Sequence, residues 1–371
     1  MKQNKIRFVT LFPNCPNVGL VKDVGQIPYV LGYLDNNIMT KLVSSVIDSE
    51  GANIDQVKGL VIEKCPYILN SELIAGLWYL LKHSKEIEWL NIYHCGRKAF
   101  YWTKLYKFLN PEGKVYLKLD LDFISCDKYD RDKKERILFR KVTNAMDLVS
   151  VESKAVLERI KNYAGCEIKL ISNGYCPLGE KIDVTNEREN VFITVGRLGT
   201  KQKATEVLLK AFAKSAHQHD WKLKLVGSIE PEFELVKEKF LAENPELFDR
   251  VIFEGVINER KQLYQEYCKS KVMVLPSRWE SFALVGPEAI SCGCRIIISD
   301  QVPSMYEVTC DGKYGEIVPV ENVEALARAM LDATKLEYTE DMAEEIATYA
   351  EEFFSWRKIC EKLQEYLCNK Q

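Results

Sequence analysis

Short apolar runs alternate with longer stretches in which apolar residues recur at helical spacing, and this pattern continues along most of the chain. An order in which strands and helices alternate is typical of parallel sheets with helical crossovers. The pattern therefore predicts an α/β fold. The predicted strands are residues 6–12, 59–63, 88–93, 115–119, 148–151, 168–171, 191–195, 223–226, 251–253, 272–275, 295–298 and 315–318.

Two domains are expected, because a chain of 371 residues exceeds the ~250–300 residues over which a single core usually extends. A polar, turn-rich stretch at 177–190 is the predicted linker between them. We place the domains at 1–180 and 181–350. A final helix at 351–371 has an apolar stripe of Phe353, Trp356, Ile359 and Leu363.

Composition excludes several classes of protein. The chain is 47% hydrophobic and 28% charged with a net charge of −3, so a nucleic-acid partner is not expected. No apolar run reaches the ~20 residues of a spanning helix, and the N-terminus leads directly into a strand without a signal peptide. We therefore expect a cytoplasmic protein. Its twelve scattered cysteines are expected to be reduced thiols.

Two glutamates eight residues apart are the first candidate functional groups. Glu280 follows a predicted strand and lies on a loop, whereas Glu288 falls in the first turn of a helix for which Pro287 suits the first position. Carboxylates accept hydrogen bonds from sugar hydroxyls, and free N–H groups at a helix start attract phosphate. The pair therefore suits a nucleotide sugar, although a glutamate at a helix start also occurs simply because it offsets the helix dipole.

A second candidate site opens the second half of the chain. Gly196 and Arg197 end a predicted strand, and Lys201 and Lys203 precede the next helix. A guanidinium can bind two phosphate oxygens, and an ammonium adds a compact positive charge. These residues could neutralise a diphosphate, and the alternative is a solvated basic loop.

The order of these motifs carries a resemblance. The motifs are Gly196-Arg197, Lys203-Ala204, Val226-Gly227, Phe253 to Val256, Leu275 to Ser277, and Glu280 to Glu288-Ala289. Over roughly residues 190–330 the chain resembles the donor-binding half of retaining GT-B glycosyltransferases, in the large bacterial group 1 or family 4 type. The resemblance implies two facing Rossmann-like, doubly wound domains with an interdomain cleft. It also implies that 1–180 meets the acceptor, 181–350 binds the nucleotide sugar and 351–371 crosses back to the first domain.

The resemblance also implies roles for individual residues. Arg197 and Lys203 would hold the diphosphate, Glu288 the ribose, and Glu280 with the backbone after it the transferred sugar. The implied donor-binding set is Gly25, Gly196, Arg197, Lys203, Glu280, Ser281, Phe282, Ala283, Leu284 and Glu288, and the implied catalytic set is Arg197, Lys203, Glu280 and His94. The chain departs from the family pattern at Ala204 and Ser281, where glycine is usual, and in the spacing of Lys203, which leaves Lys201 as a substitute.

The first half contributes two of these residues. Gly25 is the best match to the family's glycine loop, which approaches the donor phosphates, and a purely structural glycine is the alternative. His94 ends a predicted strand, where the family often has a histidine facing sugar and acceptor, and a structural histidine is again the alternative. Asp120-Leu-Asp122 matches a metal-binding motif of a different glycosyltransferase architecture. We expect no metal and no cofactor, because Arg197 and Lys203 could neutralise the diphosphate.

Residues 97–118 are both basic and aromatic. Tyr101, Leu105 and Phe108 share a helical face, flanked by Lys104 and Lys107 and followed by Lys114 and Lys118. This pattern suits peripheral contact with an anionic membrane, and a face buried in the core is the alternative.

The expected function is transfer of a hexose or N-acetylhexosamine from a nucleotide sugar to a glycan or lipid-linked acceptor, with retention of configuration. UDP is the expected nucleotide and GDP the alternative. Two other functions stay open on the same fold: a nucleotide-sugar 2-epimerase, and a non-catalytic partner subunit. The sequence does not specify an oligomeric state.

Overall fold

The structure is a computed structural model that describes residues 6–46, 53–175, 184 and 187–368. It contains two compact units, one drawn from Met1–Cys176 with Phe354–Gln371 and the other from Pro177–Phe353. Most of the linker predicted at 177–190 lies outside the described residues.

The first unit is built on a seven-stranded parallel sheet in the order β3-β2-β1-β4-β5-β6-β7. Its strands are β1 (Ile6–Leu11), β2 (Ile38–Ser44), β3 (Val61–Lys64), β4 (Trp89–Tyr93), β5 (Lys114–Lys118), β6 (Leu148–Val151) and β7 (Ile168–Leu170). Its connecting helices are α1 (Asp23–Leu34), α2 (Glu72–His83), α3 (Arg97–Leu109), α4 (Phe123–Arg131), α5 (Lys133–Thr143) and α6 (Lys154–Ile160). All residues of β4 are buried, as expected for a central parallel strand with helices on both faces.

The second unit has a six-stranded parallel sheet in the order β10-β9-β8-β11-β12-β13. Its strands are β8 (Glu189–Val195), β9 (Lys222–Val226), β10 (Val251–Gly255), β11 (Ser270–Leu275), β12 (Arg295–Ser299) and β13 (Gly315–Val318). Its helices are α7 (Thr205–Ser215), α8 (Glu234–Glu243), α9 (Arg260–Lys269), α10 (Val285–Ser291), α11 (Met305–Thr309), α12 (Val323–Thr334) and α13 (Glu340–Phe354). The strand order reverses between β8 and β11, and open α/β sheets bind ligands at the carboxyl ends of such strands.

The last helix, α14 (Trp356–Cys368), packs against α1 of the first unit. Trp356 and Leu363 join a buried cluster with Phe8 and Ile27. The predicted apolar stripe is wrong at Phe353, which lies on α13 and is 56% exposed. The helix boundary between residues 354 and 356 turns this side chain away from the stripe.

The parallel α/β prediction is confirmed, because every strand pair within the two sheets is parallel. The sequence pattern missed β2, which has the polar pair Thr40-Lys41 at its centre. Lys41 can lie within the sheet because its Nζ is 3.1 Å from a carboxylate oxygen of Glu63 on the adjacent strand β3.

Candidate functional site

The loops after β8 and β11 carry the predicted donor site. These two strands are neighbours in the sheet, so Gly196 after β8 and Pro276 after β11 begin loops at the same edge. This is also the point where the strand order reverses. The two loops therefore border the crevice in which this architecture binds ligands.

Glu280 is buried on the loop after β11 and accepts hydrogen bonds from three side chains. Lys203 Nζ lies 2.6 Å from Oε1, Ser277 Oγ lies 2.9 Å from Oε1, and Gln202 Nε2 lies 3.1 Å from Oε2. Sequence reasoning assigned Lys203 to a diphosphate and Glu280 to a sugar. The structure brings the two together as one ion pair, with side chains 18% and 10% exposed.

Gly196 provides the space that Lys203 needs. A Cβ on Gly196 would lie 3.0 Å from Lys203 Cε, so the lysine stem passes directly over the glycine backbone. The helix that follows Lys203 starts from Ala204, whose φ of 49° is left-handed. A left-handed residue favours glycine, which gives a physical reason why glycine is usual at this position and alanine is the exception.

The side chain of Arg197 differs from that of Lys203 in having no partner among the described residues. Its side chain is exposed, and it makes no hydrogen bond or ion pair with any residue that the structure describes. Lys201 is exposed as well, and its carbonyl oxygen accepts a hydrogen bond of 2.6 Å from Arg278 Nη1. The Arg197 guanidinium can therefore bind a ligand oxygen without breaking a contact within the protein.

Glu288 is buried in the first turn of α10. Its Oε1 lies 2.9 Å from Arg260 Nη2, and its Oε2 lies 3.5 Å from the hydroxyl oxygen of Tyr267. The helix begins at Val285, so Pro287 is its third residue and the prediction that it is the first is wrong. The carbonyl of Ala283 already accepts from Gly286 N–H, which starts the helical turn before the proline.

Sequence reasoning missed Arg260. It is the first residue of α9, and a cation at a helix N-terminus is electrostatically unfavourable unless it has an anionic partner. That unfavourable position was the available signal. The partner is 28 residues away in the sequence, so the signal could not have identified Glu288.

The loop between the two glutamates has a strained backbone. Ala283 adopts a φ of 69°, which is uncommon for a residue other than glycine. The Phe282 ring is buried, and its carbonyl oxygen accepts a hydrogen bond from Ser304 Oγ. Ser281 and Leu284 are partly exposed. The buried ring and the Ser304 contact hold the backbone of 281–284, which was predicted to meet the sugar.

Gly25 lies inside the first turn of α1 and is buried. A Cβ there would be 2.4 Å from the carbonyl oxygen of Leu20, in the short turn Asn17–Val21 that precedes the helix. This close approach accounts for the glycine without a ligand. Its predicted contact with donor phosphates stays a prediction.

His94 and Asp120 end the neighbouring strands β4 and β5, and both have left-handed φ values, 62° and 49°. Nε2 of His94 lies 3.5 Å from Oδ2 of Asp120, and the two side chains are 50% and 32% exposed. The Asp120 carboxylate raises the pKa of the His94 imidazole above its usual value. The histidine can therefore carry charge at a higher pH than a free imidazole.

The two aspartates of Asp120-Leu-Asp122 have different partners. Asp122 caps α4, with its Oδ1 accepting a hydrogen bond of 2.7 Å from Ser125 N–H, whereas Asp120 faces His94. Within residues 6–46, 53–175, 184 and 187–368, no group of three or more His, Cys, Asp or Glu side chains could hold a metal ion.

Lys118 and Glu152 form a fully buried ion pair, with Nζ and Oε1 2.8 Å apart. The interpretation of Lys118 as a membrane-facing charge is wrong, because its side chain is 0% exposed. Asp23, at the start of α1, is buried, and the charges of both Lys118 and Glu152 act on its carboxyl group. Burial raises the pKa of Asp23 to about 7, although the Lys118 charge acts in the opposite direction.

The helix α3 presents part of its predicted aromatic face to solvent. Tyr101 is 51% exposed and Phe108 is 81% exposed, whereas Trp102 and Tyr106 fill the core. The exposed face also carries Lys104. No helix among the described residues is both long enough and apolar enough to cross a membrane.

Residues 180–353 match the family model described as glycosyl transferases group 1. The chain contains a group 1 glycosyltransferase domain. The resemblance to this group is thereby confirmed, and the matched residues include both glutamates and the Arg197–Lys203 loop.

Curated relatives of this glycosyltransferase domain align over part of their length. One is the N-acetylgalactosamine-N,N'-diacetylbacillosaminyl-diphospho-undecaprenol 4-alpha-N-acetylgalactosaminyltransferase of Campylobacter jejuni, 26% identical over 51% of this chain and 52% of that protein. A protein from the cps region of Klebsiella pneumoniae is 29% identical over 51% of this chain and 45% of its own length. The chain thus spans about half the length of the curated relatives it matches.

Solved structures align with nearly the whole chain. Anabaena HepE in complex with UDP superposes with a TM-score of 0.71 at 18% identity, covering 98% of this chain and 100% of that one. The apo lipopolysaccharide outer core galactosyltransferase WaaB superposes with a TM-score of 0.72 at 16% identity, covering 99% of both chains. The predicted GT-B class, with two Rossmann-like α/β domains, is confirmed.

Proposed function

We propose that the protein is a retaining glycosyltransferase that moves a hexose or N-acetylhexosamine from a nucleotide sugar to a glycan or lipid-linked acceptor of the cell surface. One observation carries the proposal: the exposed guanidinium of Arg197, which has no partner among the described residues, lies in the crevice loop that also holds the Lys203–Glu280 ion pair. A nucleotide sugar fits this arrangement, because its diphosphate needs positive charge and its sugar hydroxyls need hydrogen-bond acceptors nearby. UDP is the proposed nucleotide, since HepE was solved with UDP, and GDP is the alternative.

The chemical role of the cations is to stabilise the departing diphosphate. Negative charge grows on the leaving group, and preorganised cations aimed at developing charge are usually the largest catalytic contribution. Arg197 supplies a bidentate donor. Lys203 supplies an ammonium group that Glu280 holds in place. With two cations available, we propose that no metal or other cofactor is required.

The glutamates suit ligand binding better than nucleophilic attack. Glu280 and Glu288 each accept hydrogen bonds from a cation and from a neutral donor. Such contacts stabilise a carboxylate and lower its nucleophilicity. We therefore propose that the acceptor hydroxyl attacks on the face from which the diphosphate leaves and passes its proton to the departing phosphate, without a covalent enzyme intermediate. Glu288 would bind the ribose and Glu280 the transferred sugar.

We further propose a cytoplasmic enzyme that contacts the membrane through α3. The exposed rings of Tyr101 and Phe108 with Lys104 support this proposal, while Lys107 is already paired with Asp147 at 2.7 Å. Burying one aromatic ring is worth ~2 kcal/mol. Phe108→Ala should therefore weaken binding to anionic vesicles about 30-fold in a flotation assay. Phe248→Ala, at a 69% exposed ring of the other unit, is the control, and equal binding by both variants would contradict the proposal.

A thermal-shift panel of nucleotide sugars tests the donor. A ligand that binds the folded state stabilises it by about 2.7 kcal/mol at a hundred times its dissociation constant. We expect one UDP-sugar to raise the melting temperature of the wild type and of Lys201→Ala, and to lose its effect in Arg197→Ala. A panel without any stabilising nucleotide sugar would favour the non-catalytic subunit instead.

Transfer and epimerisation are separated by the products. A transferase releases nucleoside diphosphate only when acceptor is present, apart from slow hydrolysis. A 2-epimerase instead converts the donor without needing an acceptor. Chromatography of the nucleotide products with and without a lipid-linked acceptor distinguishes the two.

A further inference from the structure

The buried Lys118–Glu152 pair supports one residue at the surface. Besides binding Lys118, Oε1 of Glu152 accepts a hydrogen bond of 3.2 Å from the backbone N–H of Asp120. Lys118 Nζ is also fixed by the carbonyl oxygen of Ile171 at 3.2 Å. The three strands β5, β6 and β7 are thereby tied together at their carboxyl ends, directly below Asp120.

The residue supported in this way is held in a costly conformation. Asp120 has a φ of 49°, and His94 on the adjacent strand has a φ of 62°. A left-handed backbone is unfavourable for a residue with a Cβ. Such strain persists only where surrounding contacts enforce it. For Asp120 the contact is Glu152, and for His94 it is the hydrogen bond of 3.1 Å from its N–H to the carbonyl oxygen of Lys118.

The result is an oriented histidine at the edge of the sheet. Asp120 faces Nε2 of His94 at 3.5 Å, which favours the proton on that nitrogen and leaves Nδ1 as the acceptor of the neutral ring. Phe12 packs edge-on against the imidazole, with ring centroids 5.8 Å apart. Nδ1 has no hydrogen-bond partner in the described part of the chain, and half of the side chain is exposed.

We propose that Lys118 and Glu152 are positioning residues, which fix Asp120 so that it orients His94 to accept a hydrogen bond from a sugar hydroxyl. This inference rests on the proposed glycosyltransferase function for its ligand. Glu152 does not itself touch the ligand. It acts through the Asp120 backbone, which a pair of apolar residues could not support.

Two double variants separate this role from a general need for a stable core. Replacing a buried ion pair by neutral residues of similar volume is often tolerated, whereas removing one partner leaves a buried charge. Lys118→Met with Glu152→Gln keeps a carbonyl oxygen that can accept from Asp120 N–H. Lys118→Met with Glu152→Met removes that acceptor. Both doubles have the same charge, so any difference between them reflects the contact to Asp120.

The first readout is the titration of His94 by NMR, followed in protein with labelled histidines and assigned with His94→Gln. The charged groups that act on His94 are Asp120, Lys98 and Asp23, and they are present in both doubles. We expect the raised pKa in the wild type and in the Gln double. A pKa nearer the ordinary imidazole value of 6.5 is expected in the Met double and in Asp120→Asn. The same titration in both doubles would overturn the proposal.

The second readout is turnover of whichever nucleotide sugar stabilises the protein. Loss of an outer contact that orients a functional group typically costs about 10-fold, so the Met double should be about 10-fold slower than the Gln double, with equal donor affinity in thermal shift. Equal turnover would also overturn the proposal. If the wild type neither binds nor hydrolyses a nucleotide sugar, the proposed function fails, while the His94 titration still decides the positioning role.

If the Met double does not fold, a further pair of variants tests the strained backbone. Asp120→Gly and Asp120→Ala both remove the carboxylate, but only glycine adopts the left-handed conformation without cost. We expect the glycine variant to have the higher melting temperature. Equal melting temperatures would contradict the enforced conformation on which the proposal depends.

Discussion

The carboxyl edges of the two sheets are built in opposite ways. At this edge of the second unit the buried carboxylates of Glu280 and Glu288 have separate cations: Glu280 is bound by Lys203 and Glu288 by Arg260. In the first unit the buried acids Asp23 and Glu152 lie near one buried cation, Lys118, and one oxygen of each acid has no hydrogen-bond partner in the described part of the chain. The hydroxyl of Tyr93 and the side-chain oxygen of Asn173 are also buried, and neither has a hydrogen-bond partner among the residues that the structure describes.

The two edges therefore differ in how far their buried polar groups are satisfied within the protein, which bears on how each could bind a ligand. A buried polar group without a partner costs about 1–3 kcal/mol, so an edge with several of them is stable only because the rest of the unit compensates. In the second unit the carboxylates of Glu280 and Glu288 are already bound by cations of the protein. The first unit keeps unmet hydrogen-bonding capacity close to His94. The following predictions test whether this contrast is real.

The largest effect is expected at Arg197, the exposed cation on the loop that also carries Lys203. Arg197→Ala should reduce kcat by about 10²–10³, as removal of one charge-stabilising donor typically does. It should leave the melting temperature unchanged, because the guanidinium has no hydrogen bond or ion pair with the residues that the structure describes. Steady-state kinetics with the identified donor measure this. Lys201→Ala, at the exposed neighbour, is the control. An equal loss in that variant would show that overall loop charge matters and that Arg197 has no specific role.

The next effect compares two glycines in the first turns of helices. Gly25→Ala should destabilise the protein by about 2–3 kcal/mol, because its Cβ would lie 2.4 Å from the Leu20 carbonyl oxygen. At Gly286 the nearest atom to an added Cβ is Val308 Cγ1 at 3.3 Å, so Gly286→Ala should change stability by less than about 0.5 kcal/mol, since helix propensity offsets the contact. Chemical denaturation measures both. Similar values would show that the two turns are equally tight.

The ion pair of the second unit should show energetic coupling. Lys203→Met and Glu280→Gln should each destabilise by about 2 kcal/mol, because each leaves a largely buried charge without its partner. Since both act on the same contact, the double variant should lose less than the sum, with a coupling energy of about 1–2 kcal/mol. A double-mutant cycle in urea measures this, with Lys313 and Glu345, an exposed pair, as the control cycle. Strictly additive losses would contradict the interpretation that Lys203 and Glu280 stabilise the second unit as one ion pair.

The smallest effect concerns pH. Burial raises the pKa of Asp23 from 3.8 to about 7, so between these values the folded protein binds a proton that the unfolded chain does not. Stability contributed by Asp23 is therefore present at low pH and is lost as pH rises toward 7. Relative to Asp23→Asn, the wild type should lose at least about 1 kcal/mol between pH 5 and pH 8, which corresponds to one pKa unit. A constant difference across that range would show that Asp23 titrates normally.

Much of the fold could be predicted because its strands are buried on both faces and therefore appear as continuous apolar runs. The exception is β2, in which Lys41 interrupts the apolar run. Its partner on β3 cannot be identified from the neighbouring residues in the sequence. Loops were also predictable, since Glu280 and Arg197 follow strands that end directly before Pro276 and Gly196. Pairings were not predictable, because Arg260 and Glu288 or Lys118 and Glu152 meet only when distant segments fold together.

Backbone conformations that depend on tertiary contacts could not be predicted from the sequence either. Nothing in the residues around His94 or Asp120 indicates a left-handed φ, and the motif Asp120-Leu-Asp122 suggested a shared role for two carboxylates. Glu152, which holds Asp120, is 32 residues away in the sequence. The sequence therefore locates polar side chains at the strand ends, and only the folded chain shows which of them act together.

The return of the chain through α14 makes the second unit an insertion within the first. The chain leaves the first unit after Tyr175 and re-enters it at Phe354, where Tyr175 N–H donates to the Phe354 carbonyl oxygen at 3.0 Å and pairs with Ser355 as a short parallel bridge. Entry and exit thus lie side by side. A short loop that joins Tyr175 to Phe354 should allow the first unit to fold without the second. Truncation before Trp356 would instead remove α14 from the core of the first unit. For protein engineering, the second unit is the segment that can be removed, and the first unit is the part that should remain folded.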